Sequence, residues 1–304
     1  MKIGYFADGA WSHKAIELIS NMNDFEIVFI VPRFDIQDPI LKELSNILSV
    51  PFLPIKNINS KETVKILSSY GADIFVSMSF NQIVKKPLLK LTKHGFINCH
   101  AGKLPFYRGC NVLNWVLING EKEFGVTVHY MDEGIDTGDI ISQELSEITD
   151  TDDYSTILDK ATQLCANTLH NSLMKIKNSN VTRIKQSTIH KNGSYCRRRV
   201  DGDEWIDWTW SNLRIFNFVR AITKPGPYAR TTIDNELILI HKVSIFKINL
   251  ENKCSPGEII LYNGDILVRT SDGFIKINKF SFKYNTIENH KKIITGSMFK
   301  NLKI

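Results

Sequence analysis

The chain reads as an α/β protein: a Rossmann-like, parallel doubly wound sheet over residues 1–185, then a linking helix and a small β-barrel-like, OB-like domain over residues 186–304. Three observations predict this. The N-terminal half alternates short apolar runs with amphipathic stretches, as strands and crossover helices do in a parallel sheet. From Val181 onward the pattern changes to short alternating segments divided by turn pairs such as Asn263-Gly264 and Asp272-Gly273, which suits a small barrel. A length of 304 residues accommodates one large domain and a smaller one.

Ile3 to Ala7 is the first strand, followed by a helix over Ser12 to Asn21 and a second buried strand over Phe25 to Val31. This strand–helix–strand opening is what a doubly wound sheet requires. Asp8-Gly9-Ala10 falls at the carboxyl end of the first strand, where such sheets place ligand loops, so Gly9 is a candidate binding residue. The loop is not GxGxxG, and NAD is not inferred. Ile40 to Leu48 is amphipathic, Pro51-Phe52-Leu53-Pro54 leads into a loop, and Lys61 to Tyr70 is a further helix. Asp73 to Phe80 is a third buried strand with a polar end, and Asn81-Gln82-Ile83-Val84 turns into a helix around Pro87 to Leu91.

The stretch from Gly95 to Asp139 concentrates the chemistry. Phe96 to His100 is a short strand whose period of two points Asn98 and His100 one way and Ile97 and Cys99 the other. Ala101-Gly102-Lys103-Leu104-Pro105 is a turn whose small residues let backbone approach a ligand. Asn111 to Ile118 is helical by spacing, between the breakers Gly109 and Gly120. Gly125 to Tyr130 alternates like a strand, and Met131 to Asp139 is an acidic, glycine-punctuated loop. Cys99 lies between two candidate catalytic residues, and strand alternation turns its thiol away from them.

Ser155 to Met174 is a long helix with Ile157, Leu158, Ala161, Leu164, Leu169 and Leu173 along one side. Gln186 to Arg199 is polar and ends in the triplet Arg197-Arg198-Arg199. Ser211 to Thr223 is the linking helix, broken by Lys224-Pro225-Gly226-Pro227. The barrel strands fall at Ala229–Ile233, Glu236–Phe246, Gly257–Tyr262, Asp265–Thr270 and Phe274–Phe282.

Composition excludes several classes. The net charge of +6 is spread over scattered lysines, which does not favour nucleic acid as a partner. No apolar run approaches membrane-spanning length, and the N-terminal run is a strand rather than a signal peptide. Five cysteines without a CxxC pair point to reduced thiols and a cytoplasmic location. His94 and His100 have no companions at a zinc-like spacing, so no metal is expected.

Asn98-x-His100, Leu104-Pro105-x-x-Arg108-Gly109 and Asp132-x-Gly134-x-Asp136-Thr137-Gly138, taken together, resemble the formyltransferases that use N10-formyltetrahydrofolate. The resemblance runs over nearly the full length. It implies that Asn98, His100 and Asp136 are the catalytic triad. It implies that Phe80, Asn81, Gln82, Ile83, Leu104, Asp132, Gly134 and Ile135 hold the folate co-substrate. Gly9, Gly102, Lys103, Tyr107, Arg108 and Tyr228 are the residues expected at the acceptor. One departure stands out: family members commonly have Gly-Ser after the histidine, where this chain has Ala101-Gly102.

Formyl transfer to an amine passes through an oxyanion, and these residue types meet its needs. Asn98 can donate to the developing oxyanion, His100 can donate or relay a proton, and Asp136 can orient the imidazole or take a proton. Which of His100 and Asp136 is the base stays open from sequence. The pattern is similar both to methionyl-tRNA formyltransferase and to UDP-4-amino-4-deoxy-L-arabinose formyltransferase, the latter through Leu113 to Glu121 and Val219-Arg220-Ala221. Pro32 to Pro39 is short and not basic, which favours a nucleotide-linked amino sugar over tRNA. Tyr107, Trp115 and Tyr228 could stack on a base, and Arg108 or the arginine triplet could meet a diphosphate. The family also implies a homodimer. A hydrolase of formyltetrahydrofolate and a catalytically silent binding module are the other readings.

Overall fold

The computed structural model describes residues 1–248, 254–283, 293 and 296–300. Its contacts divide it into two units. The first comprises Met1–Val112, Glu123–Glu147 and Leu158–Arg197, and the second comprises Leu113–Lys122, Ile148–Ile157 and Arg198–Ile304.

In the first unit, β1 (Lys2–Ala7), β2 (Glu26–Val31), β3 (Ile74–Met78) and β4 (Phe96–His100) run parallel in the order β2-β1-β3-β4. They are apolar on both faces, as parallel strands covered by helices must be. Phe6, Phe29, Phe75 and Phe96 meet in one core, with Phe6 and Phe29 edge to face at 5.8 Å. Helices α1 (Ala10–Ser20), α2 (Pro39–Ile47), α3 (Lys61–Ser69) and the short α4 (Lys86–Leu89) connect these strands. Two of them start on side-chain caps. Asp38 accepts from the amides of Ile40 and Leu41 with Pro39 following, and Ser60 accepts from Thr63.

The sheet is mixed rather than wholly parallel. After the two-residue β5 (Arg108–Gly109) and α5 (Val112–Ile118), β6 (Glu123–Tyr130) returns antiparallel to β4, and β7 (Ile140–Glu147) pairs antiparallel to β6. Two strands joined by the loop 131–139 form a hairpin, which fixes their opposed direction. β7 has no clear sequence signature because its second half, with Glu144, Leu145 and Glu147 exposed, does not alternate. The long α6 (Tyr154–Lys177) buries Ala161, Cys165, Leu169, Leu173 and Ile176 along one face.

The first unit runs to Arg197, beyond the boundary expected at residue 185. The reason is local: α7 (Gln186–Ile189) and β8 (Tyr195–Cys196) follow α6, and β8 pairs with β5. Conversely, residues 113–122 and 148–157 group with the second unit. Asn114 Nδ2 donates to the Ala221 carbonyl at 2.7 Å, and Arg220 Nη1 donates to the Thr149 carbonyl at 2.8 Å.

The second unit carries α8 (Asn212–Ala221), then β9 (Ala229–Ile233), β10 (Glu236–Phe246), β11 (Ile259–Tyr262), β12 (Asp265–Arg269) and β13 (Phe274–Phe282). These strands form an antiparallel sheet in the order β11-β12-β13-β10-β9. The segment 296–300 closes it. Lys300 exchanges hydrogen bonds with Thr232 of β9, while Phe299 donates to the Gly257 carbonyl and Ile259 to the Ser297 carbonyl. Both edges of the sheet are thereby paired through one segment, which removes the exposed edges an open sheet would leave.

Candidate active site

β4 lies between β3 and β6, so a polar side chain on it is surrounded by strand. Its register places Asn98 opposite His129 and His100 opposite Thr127 on β6. Residues paired across an antiparallel ladder project to the same face, so Asn98, His100, Thr127 and His129 share one. The register of β6 against β7 slips between Val128 and His129, a bulge of the kind that re-aims side chains beside active sites.

The loop after β6 delivers Asp136 to this face. Asp132 Oδ1 accepts from the Gly134 amide at 3.0 Å and from Thr137 Oγ1 at 2.6 Å, which folds the loop back on itself. Asp136 adopts φ 54°, a left-handed conformation unusual for a residue with a side chain. A Cβ on Gly138 would lie 1.8 Å from the Tyr130 carbonyl oxygen, so only glycine closes the loop there. Gln186 pins it from outside, since Nε2 donates to the carbonyls of Asp136 and Gly138, both at 2.8 Å.

Four side chains converge. Asn98 Nδ2 lies 3.3 Å from Asp136 Oδ1 and 3.3 Å from His129 Nε2. Asp136 Oδ2 accepts from the Gly109 amide at 2.9 Å and lies 3.7 Å from His100 Nδ1, while Oδ1 lies 3.5 Å from His129 Nε2. A carboxylate therefore stands between two imidazoles. His100 Nε2 lies 2.7 Å from the Tyr107 carbonyl, which only accepts, so Nε2 carries the proton and Nδ1 faces the carboxylate. Burial pushes the Asp136 carboxyl up, but its neighbours His100 and His129, aided by the Gly109 amide, outweigh it and hold the group far below the usual carboxylate range.

Gly102 has a specific use here. A Cβ on it would sit 2.4 Å from His100 Nε2 and 2.5 Å from the Tyr107 carbonyl oxygen. The glycine makes room for the bond that sets the His100 tautomer. Cys99 points the other way, with Sγ 3.7 Å from the Cys165 carbonyl, and the hydrogen bond with Cys165 together with burial pushes its thiol well up. It is not a thiolate nucleophile. Among the described residues no group of three or more His, Cys, Asp or Glu could hold a metal ion, and no helix is long and apolar enough to cross a membrane.

Residues 6–173 match the formyl transferase family, and residues 200–298 match the formyl transferase C-terminal domain. The chain belongs to the formyl transferase family. It is 33% identical to the bifunctional polymyxin resistance protein ArnA of Wigglesworthia glossinidia brevipalpis over 255 residues, which cover 84% of this chain and 38% of that larger protein. It is 32% identical to the methionyl-tRNA formyltransferase of Geobacter metallireducens over 247 residues, covering 81% of this chain and 77% of that one. Among solved structures, the N-formyltransferase from Helicobacter canadensis in complex with folinic acid and dTDP-3-aminofucose aligns with a TM-score of 0.68 at 20% identity, over 92% of this chain and 99% of that one. At that identity the likeness is one of fold.

Other residues of this formyl transferase singled out from sequence fall into two groups. Several are held by the protein itself. Arg108 is 7% exposed, and its guanidinium reaches Gln186 Oε1 through Nε at 3.0 Å and Nη2 at 2.7 Å, and the Asn192 carbonyl through Nη1 at 3.2 Å. These bonds let it brace the site from within. Lys103 pairs with Glu123, Gln82 bridges the Ile58 amide and the Ile55 carbonyl, and Phe80 packs edge-on against Phe6 at 5.5 Å. Leu104 is buried, and its amide and carbonyl meet Thr127 and Gln143. Asn81 donates to Asp35, and the Gly9 amide donates to Asp38. In the second unit Tyr228 stacks on His241 with centroids 4.1 Å apart, Trp115 is half-buried on α5, and Arg199 of the triplet faces Glu204 at 3.6 Å.

The second group is open. Ile83 is 63% exposed and Ile135 53% exposed, so each presents apolar surface from a loop. Two residues of the formyl transferase site escaped the sequence reading. His129 sits in an ordinary strand pattern, and its alternation with Thr127 was the available signal. Gln186 sits in a polar stretch with no signal, because its partners lie about fifty residues back in the chain.

Proposed function

We propose that this formyl transferase moves the formyl group of N10-formyltetrahydrofolate onto the primary amine of a nucleoside-diphosphate-linked amino deoxysugar, in the cytoplasm, to supply N-formylated sugars for lipopolysaccharide or a related glycan. The observation that carries the reading is the convergence of Asn98, His100 and Asp136 on one face. The amine nitrogen attacks the formyl carbon, an electron pair moves onto the formyl oxygen, and collapse of the adduct breaks the bond to N10. The amine gives up one proton and N10 gains one. Asn98 supplies an N–H for the oxyanion, since its two internal acceptors lie 3.5 Å apart and share one N–H, which leaves the other. Asp136, ionised far into the acid range, is a poor proton acceptor. His100 Nδ1 is the better candidate to carry the proton, with Asp136 as its counter-charge. The exposed Ile83 and Ile135 are suited to cover the flat pterin of the donor.

A small acceptor is supported by the segment after β2. Its single basic residue, Arg33, lies 2.7 Å from Asp35 and 3.6 Å from Asp8, so the segment offers no free cation to a phosphate backbone. The sugar nucleotide bound to the Helicobacter enzyme agrees in kind. Methionyl-tRNA is the second reading, favoured by the sequence similarity to that enzyme. The purified protein is offered N10-formyltetrahydrofolate with dTDP-, UDP- and GDP-linked amino sugars and with charged initiator tRNA, and products are weighed for one added formyl group. A formylated sugar nucleotide supports the proposal. Product on tRNA alone replaces it with the second reading, and no product with any acceptor sinks both.

A further inference from the structure

We propose that His129 is a positioning residue for formyl transfer, fixing the direction in which the Asn98 carboxamide presents its N–H groups. The inference rests on the assignment of Asn98 as the oxyanion donor. His129 is 2% exposed and reaches the site across the β4–β6 ladder, directly opposite Asn98. Its Nδ1 lies 2.8 Å from the carbonyl oxygen of Tyr130. A carbonyl only accepts, so Nδ1 bears the hydrogen, and in the neutral ring Nε2 is left with a lone pair.

That lone pair faces Asn98 Nδ2 at 3.3 Å. Asp136 Oδ1, also 3.3 Å from Nδ2 and only 3.5 Å from His129 Nε2, lies too near that direction to take a separate hydrogen, so one N–H is shared between the two acceptors and the second is left for the oxyanion. Two acceptors on one side of the carboxamide remove its freedom to flip: with the oxygen turned inward, the amide would face a carboxylate and an imidazole lone pair and gain no bond. The amide orientation is thus settled before a substrate arrives, which is what preorganised stabilisation of a developing charge requires. His100 has the mirrored arrangement, with Nε2 tied to the Tyr107 carbonyl and Nδ1 turned inward. The two imidazoles are of opposite tautomer, and each is set by a backbone carbonyl of the strand or turn that carries the reacting groups. His129 does not itself have to touch the substrate.

Two measurements test this on the full chain. Long-range proton–nitrogen correlation spectra of the labelled protein are expected to show His129 as the Nδ1–H tautomer and His100 as the Nε2–H tautomer, with the His129 Nε2 resonance moving in N98A. An Nε2–H tautomer at His129 overturns the proposal, since that ring cannot accept from Asn98. In steady-state kinetics with the acceptor formylated in the panel above, His129→Leu is expected to lower kcat about tenfold to a hundredfold while both KM values stay within about threefold, the pattern of a lost transition-state contact. His129→Gln, which keeps an acceptor at similar reach, is expected to recover most of that loss. A folded His129→Leu variant with unchanged kcat refutes the positioning role. Asn98→Ala, assayed in parallel, separates the two levels: if it too is fully active, the triad assignment fails, and if only it is impaired, the His129 inference fails alone.

Discussion

Gln186→Leu is the sharpest probe of how the site is held. The Gln186 carboxamide is 3% exposed and makes four hydrogen bonds: Nε2 to the carbonyls of Asp136 and Gly138, both at 2.8 Å, and Oε1 from Arg108 Nε at 3.0 Å and Nη2 at 2.7 Å. Leucine has a similar size and none of these bonds. Two carbonyls lose partners at about 1 kcal/mol each, and a buried guanidinium loses a bidentate acceptor worth about 2–3 kcal/mol, so the variant should be about 4–5 kcal/mol less stable. That corresponds to a fall in melting temperature of roughly 10–15 °C for a unit of this size. Because the released backbone is that of Asp136, kcat should also fall about tenfold or more at temperatures where the variant is folded. Thermal melts followed by circular dichroism, with kinetics at low temperature, read both quantities. A melting point within about 2 °C of wild type together with unchanged kcat would falsify the claim that Gln186 holds the loop.

Three further outcomes follow from the same geometry. Asn98→Ala and His100→Ala should each lower turnover by about two to three orders of magnitude, and unchanged rates in both would remove them from the mechanism. Gly102→Ala should cost about 1–3 kcal/mol and disable His100, because the new Cβ falls on the bond between His100 Nε2 and the Tyr107 carbonyl; a fully active variant would show that this bond is dispensable. Asp136 has a folded pKa depressed below the ordinary value of about 3.9, so its stabilising effect is complete above that pH and is lost as pH falls from there towards the folded value. Denaturation of wild type and Asp136→Asn between neutral pH and pH of about 2.5 should therefore show wild type losing stability more steeply in the acid range, and parallel curves would contradict the depressed pKa.

Much of this protein was legible without coordinates because strands and helices write their periods locally. The alternation of Phe96 to His100 alone put Asn98 and His100 on one face and Cys99 on the other, and the apolar runs announced β1 to β4. The acidic loop was likewise visible in its spacing of Asp132, Gly134, Asp136 and Gly138, since Asp132 and Gly134 bond within the loop and Gly138 closes it against its neighbour Tyr130. What the sequence could not settle was which distant segments meet. The antiparallel register of β6 brought His129 against Asn98, and the pairing of β8 with β5 drew residues 186–197 out of the domain to which their order assigned them. Tertiary contact also decided what each polar group had left to offer. The guanidinium of Arg108 is held by Gln186 and the Asn192 carbonyl, and the tautomer of His100 depends on a carbonyl seven residues away. Periodicity fixes the face a side chain takes on its own element, but its partners are set by register and loop closure, which depend on the burial and hydrogen bonding of the whole unit.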